Sequence, residues 1–333
     1  MIWLEFVMSA LVIVLAATRL AAYGDIIALR TKLGGMFVGT LLLAGATSLP
    51  ELLTAINAID QDVPNLTVGN IFGSSMFNMF ILAALDVIYW RTHIMRRLDR
   101  GHALSSGLAV GLTGLAVFFI LAQIDVSIGR VGLDSLVLIV VYILGTRILF
   151  GGGGGSDDPL PEPDIPDDVP SLLHALAGFA LATGILIMIT PVLVTSSIKI
   201  AEETGQSAGF VGIALVAVIT SLPEVVTTVQ AARIGAYDLA AGNLFGSNIF
   251  NIFALGITDL FYANGRFLAQ ISPEMVLAGI MALLLTHITL MASLVQSLTP
   301  RRQRQTVIEV DAWLIVICYI LGMILIYNRG LIG

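Results

Sequence analysis

Apolar runs long enough to cross a bilayer recur along the whole chain, interrupted by clusters of charge and by glycine and proline. A spanning helix takes about 20 predominantly apolar residues, and reading the runs against their breaks predicts ten of them. Five lie near 2–24, 35–59, 66–90, 103–123 and 130–150, and five near 171–198, 209–233, 239–263, 273–296 and 310–328. The expected fold is an all-α polytopic membrane protein. Between the two sets runs a glycine tract, Gly151 to Gly155, then Ser156, Asp157, Asp158, Glu162, Asp164, Asp167 and Asp168 with several prolines. That mixture makes a flexible solvated tether, with too little apolar surface for a core. The chain therefore divides into a first half (1–150), an acidic linker (151–170) and a second half (171–333).

The halves are related to one another. Thr47-Ser48-Leu49-Pro50-Glu51 recurs as Thr220-Ser221-Leu222-Pro223-Glu224. Gly69-Asn70-Ile71-Phe72-Gly73-Ser74-Ser75-Met76-Phe77-Asn78 recurs as Gly242-Asn243-Leu244-Phe245-Gly246-Ser247-Asn248-Ile249-Phe250-Asn251. Every pair is 173 residues apart, and the offset holds from Thr47 to the Asp86/Asp259 pair. The repeat units span about 35–90 and 209–263. Five spans per half is an odd number, so the second copy enters the membrane upside down. Ten helices as two inverted five-helix repeats is the plan of many secondary transporters, whose sites lie at mid-membrane on interrupted helices.

Composition agrees with a membrane protein. Apolar residues make up 57% of the 333 and charged residues 12%, about half the charged share of a soluble domain, and mean hydropathy is +0.95. The net charge of −7 is mostly the six linker acids. Met1-Ile2-Trp3-Leu4-Glu5 lacks the basic region of a cleavable signal and is expected to stay as the first span. A lone cysteine, Cys318, excludes an intramolecular disulfide or a cysteine metal site. Lys and Arg fall eleven to four on alternate connections, which places both termini outside and the linker in the cytoplasm. The absence of an organelle signal points to a prokaryotic plasma membrane.

Chemistry concentrates in the duplicated segments. Glu51 and Glu224 each sit in an apolar span, where an ionised carboxylate costs several kcal/mol unless paired or hydrated. Pro50 and Pro223 lack N–H groups, so the carbonyls of Ala46 and Ile219 lose their helical partners. A bound cation can replace those partners. Thr47 and Ser48 stand four and three residues before Glu51, and Thr220 and Ser221 likewise before Glu224, which on a continuous helix puts the hydroxyls on the carboxylate's own face. In the following span Asn70, Ser74 and Asn78 form one polar stripe, as do Asn243, Ser247 and Asn251. Asn70 and Asn243 also suit interhelical hydrogen bonding. Gly69/Gly73 and Gly242/Gly246 have the GxxxG spacing of closely approaching helices. The donors are all oxygen, which suits Ca²⁺, Na⁺ or Mg²⁺ and suits zinc or copper poorly.

The doubled TSLPE and G-N-x-x-G-S motifs resemble the alpha-repeats of the calcium/cation antiporter superfamily, which includes the sodium/calcium exchangers. The resemblance implies that Glu51 and Glu224 are the central calcium ligands. It implies that Thr47, Ser48, Ser74, Thr220, Ser221 and Ser247 serve calcium and sodium subsites, with Asn78 and Asn251 lining the same centre. Potassium-coupled relatives carry an acid where this chain has Asn78 and Asn251, so potassium co-transport is not expected. Ser75 replaces the Asn usual in the family, whereas Asn248 keeps it. The linker has no room for the calcium-binding regulatory domains of animal exchangers.

The expected activity is Na⁺/Ca²⁺ antiport by alternating access, with cations as substrates, the lipid bilayer as solvent, no cofactor and no nucleic acid. The first spans of each half would move against the motif-bearing core. Ca²⁺/H⁺ antiport or another divalent cation remains open, since two carboxylates carry protons as well as sodium. A passive cation channel is the alternative from another class. No nucleophile–base pair or histidine cluster marks an enzyme: His93, His102, His174 and His287 are scattered.

Overall fold

The computed structural model describes residues 1–31, 44–89, 94–97, 101–124, 126–129, 131–151, 169–263, 265–298 and 309–330. The chain is almost wholly helical. Helices α1 (Ile2–Thr31), α2 (Leu49–Asp60), α3 (Pro64–Ile88), α4 (Gly101–Ala122) and α5 (Leu133–Gly151) form the first half. Then come α6 (Leu172–Thr204), α7 (Ala208–Val211), a π-helical turn (Gly212–Val216), α8 (Ala217–Thr220) and α9 (Leu222–Arg233). Last are α10 (Tyr237–Thr258), α11 (Glu274–Leu298) and α12 (Glu309–Gly330). Among the described residues seven helices are long and apolar enough to cross a membrane, and an eighth span appears if 208–233 is taken as one bent unit. Of the remaining predicted spans, 35–59 is described only from residue 44, and the one at 130–150 needs correction. A two-stranded hairpin, β1 (Ser127–Ile128) with β2 (Val131–Gly132), precedes that helix and delays its start to Leu133. Gly129, at φ +69°, supplies the left-handed turn that an apolar run does not reveal. Linker residues 152–168 lie outside the described residues.

Two apolar clusters organise the bundle. The larger is centred on Phe72, Met76 and Met79 of α3 and Phe245 and Ile252 of α10, and takes in Leu112, Leu138, Leu285 and Ile315 from α4, α5, α11 and α12. The second joins Phe6, Ile13, Ala17 and Leu20 of α1 to Leu186, Leu193 and Ile200 of α6, with Val211 and Val216 at its edge. Helices α3 and α10 are the innermost, 67% buried over their most apolar windows, against 17% for α6. Helices α1 and α6 thus pack on one another through a cluster of their own beside that core.

Each repeat unit closes on an aspartate that ties down the following loop. Asp86, 4% exposed, accepts the Met95 N–H at 2.9 Å. Asp259, 1% exposed, accepts the Phe267 N–H at 2.8 Å and the Gly132 N–H at 2.7 Å, so it also holds the hairpin of the other half. Unpaired buried N–H groups cost about 1–3 kcal/mol each. Asp259→Ala is therefore expected to cost about 3 kcal/mol, and Asp86→Ala less, as read by thermal unfolding in detergent.

Candidate functional site

Both motif helices break where their prolines predict. Residues 44–47 are helical, the chain turns at Ser48 (φ −88°, ψ 8°), and α2 starts afresh with Pro50 in its first turn. The second half repeats this: α8 ends at Thr220, Ser221 turns at φ −87°, ψ 2°, and α9 starts with Pro223 in its first turn. Helices 208–220 and 222–233 meet at 44°. A missing N–H is harmless in a first turn, so proline favours restarting a helix there. Each break leaves a glutamate, Glu51 or Glu224, in the first turn of a new helix, where the positive end of the helix dipole favours an anion.

The breaks exchange hydroxyls between the halves. Ser48 Oγ donates to Glu224 Oε1 at 3.0 Å, and Ser221 Oγ donates to Glu51 Oε1 at 3.0 Å. Ser74 Oγ reaches Glu51 Oε1 at 3.4 Å and Ser247 Oγ reaches Glu224 Oε1 at 3.3 Å. This corrects the continuous-helix expectation. The turn at Ser48 takes its hydroxyl off the Glu51 face and gives it to the opposite glutamate. Thr220 Oγ1 donates to Asn70 Oδ1 at 3.0 Å, and Thr47 Oγ1 stands 3.5 Å from Asn243 Oδ1. Asn70 and Asn243 thus act as the interhelical bonding groups that their place in the stripe implied. Asn243 Nδ2 in addition donates to Thr227 Oγ1 and Thr228 Oγ1 at 2.9 and 3.1 Å.

Every predicted side-chain ligand is buried: Glu51, Glu224, Thr47, Ser48, Ser74, Asn78, Thr220, Ser221, Ser247 and Asn251 are at most 1% exposed. Ala46 and Ile219, the carbonyl candidates, lie in the last turns before the breaks. Sequence reading missed the carbonyls of Ala44 and Ala217, which accept from Thr47 Oγ1 and Thr220 Oγ1 at 3.1 and 3.3 Å, while Ser74 Oγ also reaches Ala217 O at 3.4 Å. The signal was there in the i−3 spacing of a hydroxyl at a helix end.

Four buried oxygens of the predicted ligands have no hydrogen-bond partner: Glu51 Oε2, Glu224 Oε2, Asn78 Oδ1 and Asn251 Oδ1. Unsatisfied buried acceptors are costly, and two carboxylates facing one another more so. An oxygen-liganded hard cation is the kind of group that satisfies buried acceptors of this type. No group of three or more His, Cys, Asp or Glu occurs among the described residues, so the set is one of carboxylates, amides and hydroxyls.

Close helix approach brings the parts together. A Cβ on Gly69 would lie 2.2 Å from the Gly209 carbonyl oxygen, and one on Gly73 would lie 2.7 Å from Ile213 Cα. These glycines let α3 lie against α7 and the π-helical turn. The surroundings that the repeat assigns to Gly242 and Gly246, near residues 36–40, fall outside the described residues.

A cavity and an apolar cluster occupy corresponding places in the two repeats. A cavity of about 430 Å³ lined by Asp25, Thr227, Gln230, Ala231, Arg233, Leu239 and Asn243 reaches to one hydrogen bond from Thr47. Ala58 and Leu66, which correspond to Ala231 and Leu239 by the offset, are instead fully buried against Val194, with Val63 and Ile198 packed around them. Among the described residues this pair thus lines a cavity in one repeat and packs in an apolar cluster in the other; Ala208, which joins that cluster, corresponds to residue 35, outside the described residues.

Residues 1–151 and 174–329 match the family model described as sodium/calcium exchanger protein. The sodium/calcium exchanger MaX1 of Methanosarcina acetivorans is 27% identical over 264 residues, covering 68% of this chain and 73% of that protein. Among solved structures, the H⁺/Ca²⁺ exchanger CAX superposes with a TM-score of 0.67 at 14% identity, covering 99% of this chain and 89% of that one. The sodium-calcium exchanger NCX_Mj superposes with a TM-score of 0.60 at 21% identity, covering 97% and 99%. At those identities the likeness to both structures establishes a shared fold.

Proposed function

We propose, from the premise that this chain belongs to the sodium/calcium exchanger family and so to the calcium/cation antiporter superfamily, that it exchanges Ca²⁺ for Na⁺ by alternating access. The observation that carries the reading is the set of four partnerless buried oxygens on Glu51, Glu224, Asn78 and Asn251. Two carboxylates balance one calcium ion. In its absence the same charge is met by sodium ions, for which the hydroxyls of Thr47, Ser48, Ser74, Thr220, Ser221 and Ser247 are additional ligands. An empty site would leave two buried like charges, which disfavours crossing the membrane without cargo and makes exchange the low-energy cycle.

The cavity supports the cycle. The cavity at Arg233 lies on the side that the basic-residue count assigns to the cytoplasm, and the cluster of Ala58, Leu66 and Val194 lies opposite. Exchanging cluster and cavity between two nearly identical half-sites gives the alternate state. In this reading the α1/α6 pair slides across the core, ten spans form two inverted repeats, and the linker joins them on the cytoplasmic face. The broken helices 44–60 and 208–233 are then the discontinuous spans that carry the site.

Calcium uptake into liposomes under an outward sodium gradient, an outward proton gradient or neither tests this. Uptake driven by sodium alone is expected. Uptake driven by protons and indifferent to sodium would replace the coupling ion, and uptake needing no counter-gradient would mean a channel.

A further inference from the structure

The geometry points to Asn248 as a positioning residue that fixes the Asn78 amide as an oxygen ligand, a device that the other half lacks because Ser75 stands at the equivalent place. The inference rests on the exchange reading and deepens it, since it makes the two halves of one cation site unequal in kind.

The orientation follows from what each group is able to donate. A backbone carbonyl only accepts. Asn248 places its amide on the carbonyl of Ser75 at 3.3 Å, so Nδ2 must face that carbonyl and Oδ1 must face away. Oδ1 stands 2.9 Å from the Asn78 amide, which is therefore obliged to present Nδ2 to it. That leaves Asn78 Oδ1 as the free atom, and it is one of the four partnerless buried oxygens of the site. The carbonyl of α3 thus sets, through two amides, which atom of Asn78 is offered to a cation.

The offset of 173 predicts the mirror arrangement, with residue 75 on the carbonyl of residue 248 and its far end on Asn251. A serine is too short to do this, and Ser75 Oγ instead donates to the Ile71 carbonyl of its own helix at 3.0 Å. Asn251 is fully buried, and neither its Nδ2 nor its Oδ1 has a partner. When Asn251 turns its oxygen to a cation, its buried N–H group stays unsatisfied, whereas the N–H of Asn78 is paired at no extra cost. Asn78 is accordingly the stronger, preset ligand, and Asn251 the adaptable one that turns with the cargo.

Asn248→Ser removes the anchor. An unpaired buried N–H costs about 1–3 kcal/mol, and 1.4 kcal/mol is tenfold. The calcium concentration for half-maximal uptake is therefore expected to rise about tenfold, with the maximal rate little changed. A carboxylate has an oxygen at both ends and needs no orientation. In an Asn78→Asp background Asn248 Oδ1 would face a carboxylate oxygen, acceptor against acceptor, so the same Asn248→Ser change is expected to leave that concentration unchanged or lower it. The double variant Ser75→Asn with Asn248→Ser moves the anchor to the other half at constant composition, and is expected to recover most of the affinity lost in the single variant. Calcium-dependent thermal stabilisation in detergent provides a second readout of binding for each protein. An equal loss from Asn248→Ser in both backgrounds, or no loss in either, would overturn the anchor while leaving exchange intact. No calcium flux and no calcium stabilisation in the unaltered chain would overturn the exchange reading and the anchor with it.

Discussion

Glu51→Gln and Glu224→Gln are each expected to reduce calcium uptake at least about 100-fold, the largest functional loss any single change here should cause. Breaking a buried charge pairing costs about 3–5 kcal/mol, which is two to three orders of magnitude in affinity. Glutamine keeps the shape and one oxygen, so the loss isolates the charge. The effect on stability is expected to have the opposite sign. Without a cation, Glu51 and Glu224 sit fully buried, each bonded by a serine hydroxyl from the other half, and neutralising one relieves their repulsion. Both variants should therefore melt above the unaltered protein in calcium-free buffer and gain little when calcium is added. Liposome uptake and thermal shifts with and without calcium measure the two effects together. A variant that still takes up calcium at the native rate would remove that glutamate from the site.

Gly69→Ala and Gly73→Ala should be the most damaging changes to the fold. The Cβ on Gly69 would meet a backbone oxygen at 2.2 Å, and the one on Gly73 would meet Ile213 Cα at 2.7 Å and Ala217 Cβ at 2.8 Å. Backbone atoms have no rotamer through which to escape, so α3 must move away from α7 and the π-helical turn. Overpacking in a core costs about 1–3 kcal/mol and sometimes more; here the upper end or beyond is expected. The shift also draws Asn70 and Ser74 of α3 from Thr220 and the Ala217 carbonyl, so calcium affinity should fall together with melting temperature. Gly107 and Gly111 on α4 have open space where a Cβ would go, and alanine there should be neutral or gain up to about 1 kcal/mol. If alanine at Gly69 were as harmless as at Gly107, the two halves would not meet as closely as described.

Much of this was legible in the chain. Long apolar runs and prolines preceding buried glutamates follow from local physical chemistry, because a membrane leaves the backbone no partner but itself. The breaks at Ser48 and Ser221 fell where Pro50 and Pro223 required. The hairpin at 127–132 was not legible, because Val131-Gly132 read as the start of an apolar helix with Ser127-Ile128 outside it, and only pairing and the Gly129 turn mark the strands. The loop-closing role of Asp259 was hidden for a similar reason: its partners, Gly132 and Phe267, are brought to it by the fold.

By itself the sequence determined which residues are chemically fit for a cation site and that they occur twice, since a repeat and a donor type are properties of the residues alone. Only the tertiary structure decided that Ser48 serves Glu224 and Ser221 serves Glu51, because a hydrogen bond across 170 or more residues depends on how two halves pack. It also decided that Ala231 and Leu239 line a cavity while Ala58 and Leu66 pack against Val194. Identical residues in a duplicated sequence carry no sign of side; Val194 and Ile198 of α6 cover one pair, and Asp25 of α1 lines the cavity beside the other.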